Sequence, residues 1–129
     1  MTGEASTKDF ILLFRSGVSR KDMSPEQMQQ IINQYTEWID GQRSRGQFLG
    51  AKPLEEEGKV LSGKNGKIVT DGPFMESKEI IVGFLMVRVA NQEEALEIAK
   101  GCPILNLGGM VEVRPILVGH MVDLDERPE

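Results

Sequence analysis

The chain predicts an α+β fold, and three observations carry that expectation. Residues 8–15 and 80–90 are short, nearly continuous apolar runs rich in branched and aromatic side chains, as in strands with neighbours or cover on both sides. Two other segments, opening at Ser24 and Asn91, show apolar residues at helical spacing behind capping signals. Between them Asn65-Gly66 sits at the centre of KVLSGKNGKIVT, the dipeptide that suits a two-residue hairpin turn because both positions tolerate positive φ. The resulting order is strand, long helix, strand, hairpin, strand, helix, strand. It matches the ferredoxin-like split βαβ arrangement with an added β-hairpin.

The elements follow in turn. KDFILLFR, from Lys8 to Arg15, predicts a central strand, and Gly17 to Asp22 a loop. Ser24, Pro25 and Gln27 form a capping box that starts the first helix, whose apolar face is Met28, Ile31, Ile32, Tyr35 and Ile39 with Trp38 beside it. Gly46 is the expected stop. QFLGAKPL, from Gln47 to Leu54, predicts a second strand, and Pro53 puts its end at a sheet edge. Val60 to Lys64 and Lys67 to Thr70 pair as the hairpin, expected to carry little apolar weight and to be the most mobile element. Ile80 to Ala90 is the strongest strand. Asn91 with Glu94 starts the second helix, Gly101 and Pro103 stop it, and Met110 to Val118 forms the last strand.

Composition narrows the function. The 129 residues fit one domain spanning 1–129, with an ordered core over about 8–118 and flexible tails. A net charge of −5 without a clustered basic face disfavours nucleic-acid binding. No apolar run approaches the roughly 20 residues of a membrane span, and Met1 to Asp9 is polar, so a cytoplasmic address without membrane partners is expected. The single cysteine, Cys102, excludes an internal disulfide, and the lone His120 makes a poor start for a metal site, so no metal is expected. The fourteen glycines form no phosphate or dinucleotide loop, and no cofactor is expected. Two helices cover only one face of a sheet whose long strand is apolar on both. A second copy of the chain is the economical cover for the other face.

TDGPFMESKE at Thr70 to Glu79, GMVEVRPI at Gly109 to Ile116 and the Gly101-Cys102-Pro103 helix exit together resemble the YCII-related family, DGPF subgroup, over roughly 8–118. The resemblance implies a dimeric α/β barrel of ferredoxin-like halves. It also implies bacterial proteins mostly without an assigned reaction, some encoded near alternative sigma factors. In the wider family a histidine on the first helix and an aspartate before a proline after the second suggest an acid–base pair. Matching on GQFLGAKPL and AKGCP puts the histidine position on Tyr35 and the aspartate position on Cys102, so that pair does not carry over.

The candidate chemistry lies around the signature. Asp71 either caps its own turn or presents a functional carboxylate, and a rigid turn allows both. Glu76, Lys78 and Glu79 are either a solvated turn or a polar cluster at the barrel mouth. Arg15 or Arg114 can join such a cluster, where carboxylates and a cation shift one another's pKa values and move protons. Tyr35 is an amphipathic helix residue or a phenol aimed into a cleft. Trp38 packs in the core or lines that cleft. Cys102, just past a helix end, is expected buried and inert. Two functions stand side by side. One is a homodimer binding a small organic molecule between helices and sheet, with cofactor-free lyase or isomerase proton transfer if catalytic. The other is a non-enzymatic dimeric interaction module accessory to a transcriptional regulator.

Overall fold

The computed structural model describes residues 6–72 and 80–117. Its strands are β1 Lys8–Arg15, β2 Phe48–Pro53, β3 Gly58–Ser62, β4 Ile68–Gly72, β5 Ile81–Val89 and β6 Met110–Pro115, and its helices α1 Pro25–Ser44 and α2 Gln92–Lys100. One antiparallel sheet runs in the order β2-β5-β1-β6, and β3-β4 form a separate hairpin. With a helix after the first strand and another before the last, this order is consistent with the ferredoxin-like split βαβ topology.

Central position and face are set by β1 and β5. In β1, Phe10, Leu12 and Phe14 are buried under the helices, while Asp9, Ile11, Leu13 and Arg15 turn to the opposite, half-exposed face. Across the ladder Phe10 faces Val87 and Leu12 faces Leu85, and α2 lays Ala95, Ile98 and Ala99 over them. The alternation along β5 breaks at one place. Phe14 pairs with Gly83 and Arg15 with Ile81, so Val82 is an unpaired extra residue, a β-bulge with a buried side chain. The bulge turns the Val82 carbonyl out of the β1 ladder, and it accepts from the Leu54 amide at 2.8 Å.

Capping starts both helices. Ser24 Oγ accepts from the Gln27 amide at 3.1 Å, and Gln27 Oε1 accepts from the Ser24 amide at 2.9 Å. Asn91 Oδ1 accepts from the Glu94 amide at 3.0 Å, but the Glu94 carboxylate reaches back to the Ala90 amide, one residue earlier than a capping box would have it. Beyond α1, Gly46 takes a φ of 72°.

Several expectations change. Arg20–Asp22 is a short helical turn capped by Ser19, inside the segment read as loop. The hairpin is not closed by the predicted two-residue turn. Ser62 pairs with Ile68 across a five-residue loop, Gly63 to Lys67, in which Lys64–Gly66 form a short helical turn, although Asn65 and Gly66 do both take positive φ. β3 begins at Gly58 and β4 continues through Asp71, which pairs with Lys59. As expected, the hairpin adds little apolar burial, since Val60, Leu61, Ile68 and Val69 are all more than half exposed. The last strand ends at Pro115, with Ile116 still donating its amide to the Asp9 carbonyl. Among the described residues, no helix is long and apolar enough to cross a membrane.

Candidate functional site

The two helices pack on the sheet unequally. The inner face of α2 is small, Ala95 and Ala99 beside Ile98, so it lies flush. The inner face of α1 carries Met28, Ile31, Tyr35 and Ile39, and none of these is fully buried; within α1 only Gln42 is. Ile32 on the same stripe is 48% exposed. Long side chains on a helix propped away from the sheet leave a gap, and here it is a cleft of about 390 Å³. That size lies within the range of small-molecule sites. Phe14, Ala51, Val82 and Gly83 line it from the sheet, and Val18, Met23, Ile104 and Leu107 line it from the loops. A side chain at Gly83 would come within 3.1 Å of the Phe14 ring and the Lys52 carbonyl, so glycine keeps the floor flat.

Polar groups enter this largely apolar cleft at its rim. Arg20 donates Nη1 to the Leu54 carbonyl at 2.5 Å and Nη2 to the bulged Val82 carbonyl at 2.9 Å. Glu56 accepts from Ser19 Oγ at 2.9 Å and from the Arg20 backbone amide at 2.8 Å, so it steadies the turn without taking the guanidinium. Among the described residues no carboxylate accepts from the Arg20 side chain. Further along the rim Asp40 pairs with Arg43 at 3.0 Å, and the Arg43 guanidinium lies 4.4 Å from the Phe48 ring centre.

One wall is aromatic. The Tyr35 ring stands 5.6 Å from Phe14 and 6.2 Å from Trp38, centroid to centroid, and Tyr35 and Phe14 both line the cleft. Trp38 sits behind them, outside the main cleft, and its Nε1 donates to the Ile98 carbonyl at 2.9 Å, tying α1 to α2. Cys102 is also behind the wall, 2% exposed, and near enough to Tyr35 for each group to act on the other's proton. Burial pushes the Cys102 thiol up to about 11, against the opposing effects of the Ile104 amide and the Tyr35 hydroxyl. Burial likewise raises the Tyr35 phenol, with the neighbouring Cys102 adding to the shift. Both groups hold their protons at neutral pH.

The structure thus brings Tyr35, Trp38 and Cys102 together and leaves the other described candidates elsewhere. Arg15 does not join the cleft, because the alternation that buries Phe14 sends Arg15 to the opposite face. There it meets Glu112 at 2.6 Å, and Arg114 pairs with the same carboxylate. The two arginines hold the Glu112 carboxyl below its ordinary range, the Arg15 hydrogen bond contributing most. Glu76, Lys78, Glu79 and the Asp71 side chain lie outside the described residues. Arg20 and Glu56 were missed by sequence reasoning. Ser19 before Arg20 is a weak cap signal, and nothing local links it to Glu56. Among the described residues no three His, Cys, Asp or Glu side chains group to hold a metal ion.

Fold and cleft define a small α+β domain with a ligand-sized site under its long helix. The YCII-related domain matches residues 13–119, and the chain belongs to that family. A 50-residue segment is 44% identical to Uncharacterized protein R00369 of Rhizobium meliloti (strain 1021), covering 38% of this chain and 40% of that protein. Among solved structures, the 5-chloro-2-hydroxyhydroquinone dehydrochlorinase TftG of Burkholderia phenoliruptrix AC1100, in complex with 2,5-dihydroxybenzoquinone, aligns over 86% of this chain and 95% of its own at 14% identity and a TM-score of 0.45.

Proposed function

We propose that this YCII-related domain, a single domain of the DGPF subgroup, binds a small, largely apolar organic molecule in the cleft between α1 and the sheet. The carrying observation is the underside of α1, which holds four large side chains over open space where a packed core would close on them. Apolar surface left uncovered in this way is stabilised by an apolar occupant. If the domain turns its ligand over, the chemistry is cofactor-free proton transfer of the lyase or isomerase kind. Tyr35 then serves as a donor and not a base, since its phenol stays protonated, and Asp71 and Glu76 remain the proposed carboxylates. The test is a fragment screen by ligand-observed NMR on the full chain and on Ala51→Phe, which puts a ring on the cleft floor. Fragments that bind the parent and not the filled variant support the reading. Equal binding to both moves the site elsewhere, and no binding at all removes the proposal.

A second reading, an interaction module, has its own observation. The face of the sheet away from the helices presents Ile11, Leu13, Phe84 and Met86 half-exposed, bounded by the Asp9–Arg88 pair at one end and flanked along β6 by the Arg15–Glu112–Arg114 cluster. An apolar centre within a charged rim is the composition of a protein interface. We take a second copy of the chain as its occupant, which is compatible with a ligand cleft on the other side.

A further inference from the structure

We propose that the cleft selects an anionic ligand, a small apolar or aromatic acid whose single negatively charged oxygen group is anchored by Arg20. The inference rests on the cleft being a binding site and names the chemistry of its occupant. A guanidinium has five N–H donors. In Arg20 the Leu54 and Val82 carbonyls take two, one from each terminal nitrogen, and these bonds fix the plane of the group. Both acceptors are neutral dipoles. The nearest carboxylate, Glu56, spends its two oxygens on the Ser19 hydroxyl and the Arg20 main chain. Glu56 keeps its charge nearby but takes no guanidinium donor, Asp40 is paired with Arg43, and the remaining charged lining residue, Lys52, is a second cation. Arg20 therefore brings to the edge of an apolar cavity a positive charge that is oriented and still has free donors. Its field is felt across the cleft, where it acts to lower the Tyr35 phenol against the larger effect of burial.

Such a cation is costly beside an apolar cavity unless an anion meets it, and a planar fork pairs best with a carboxylate or a comparably charged enolate. The rest of the cleft offers little else to hydrogen-bond. Phe14, Ile31 and Met28 suit a ring or a branched alkyl body. One charged head and an apolar body are what this geometry accepts. A neutral hydrocarbon leaves Arg20 unanswered, and a polyol finds too few partners.

The experiment compares para-tert-butylbenzoate with its uncharged carboxamide on the full chain, with quenching of tryptophan fluorescence as the readout. Trp38 is the single tryptophan, and it packs against Tyr35 and Phe14 of the cleft wall. The acid is expected to bind about tenfold or more tightly than the amide, the scale of a hydrogen bond to a charged group. In Arg20→Gln the ratio should fall to about twofold or less, because the acid loses more than the amide does. In Arg20→Lys the ratio should be diminished but not abolished, because a point charge replaces the fork. If Arg20→Gln does not fold, Arg20→Lys decides: a diminished ratio supports the anchor, and an undiminished one overturns it. Acid and amide binding alike, or a ratio unchanged by both substitutions, overturns the anchor and leaves the cleft standing. Failure of both compounds to bind the parent protein removes the cleft reading, and the anchor with it.

Discussion

Raising the pH should loosen this fold through Cys102, and the size of the effect follows from where the thiol sits. The side chain is 2% exposed, behind Tyr35 and beside the turn at Pro103–Leu107. Burial lifts its pKa from 9.0 to about 11. Below the lower value both folded and unfolded chains keep the proton, so the thiol adds no pH dependence. Between the two values the unfolded chain releases a proton that the folded chain retains, and stability falls as pH rises. At about 1.4 kcal/mol per unit, the gap weakens the fold by roughly 2–3 kcal/mol across that window, an upper range for so buried a group. The Tyr35 phenol, also raised, acts in the same direction at higher pH. The assay is urea unfolding of the parent chain and Cys102→Ala from neutral pH upward. Both will lose stability as the Tyr35 phenol titrates, but the parent should lose more, and the difference should open between about 9 and about 11. Parallel profiles would mean that the thiol titrates normally and is not sealed behind the aromatic wall.

Other consequences are simpler to test. Trp38→Phe keeps the ring contacts but removes the donor to Ile98, whose carbonyl still accepts from Gly101; it should cost about 1 kcal/mol in urea unfolding, and no loss would mean that this bond does not tie α1 to α2. Met86→Lys puts a charge in the middle of the half-exposed sheet face, so sedimentation velocity at micromolar concentration should show a dimer for the parent chain and a monomer for the variant. A variant that stays dimeric would place the interface elsewhere.

Much of the scaffold was legible because its signals are local. The first strand has the bounds its apolar run predicts, and the Ser24 capping box has the expected partners. Asn65 and Gly66 both take the positive φ expected of them, though in a five-residue loop and not a two-residue turn. What escaped was non-local. In KDFILLFR both alternating sets are largely apolar, so the pattern does not tell which set meets the helices, and Arg15 could be assigned to either face. The cleft escaped for a related reason. Helical spacing shows that α1 has an apolar side, but not that large residues there would rest above the sheet while the small residues of α2 settle onto it. Arg20 is the clearest case. Its role depends on a bulge at Val82 and on a carboxylate at Glu56, remote in sequence, and neither leaves a mark near Arg20 itself.

Tyr35 and Cys102 show the reverse situation, a correspondence visible in sequence whose meaning the structure changes. Aligned motifs place them where the wider family has its histidine and aspartate, and in the fold they are neighbours, each raising or lowering the other's pKa. Proximity alone does not make an acid–base pair. Proton transfer near neutral pH needs a group that spends part of its time unprotonated, and burial drives both of these the other way. What the pair does supply is a closed, neutral wall. Tyr35 lines the cleft with its ring beside Phe14 and Cys102 stays buried behind it, so this wall offers an apolar ligand a surface without charge. Among the described residues, charged side chains line the cleft at Arg20, Asp40, Arg43, Lys52 and Glu56, and the proposed anchor therefore lies on the Ser19–Arg20 turn and not at Tyr35 or Cys102.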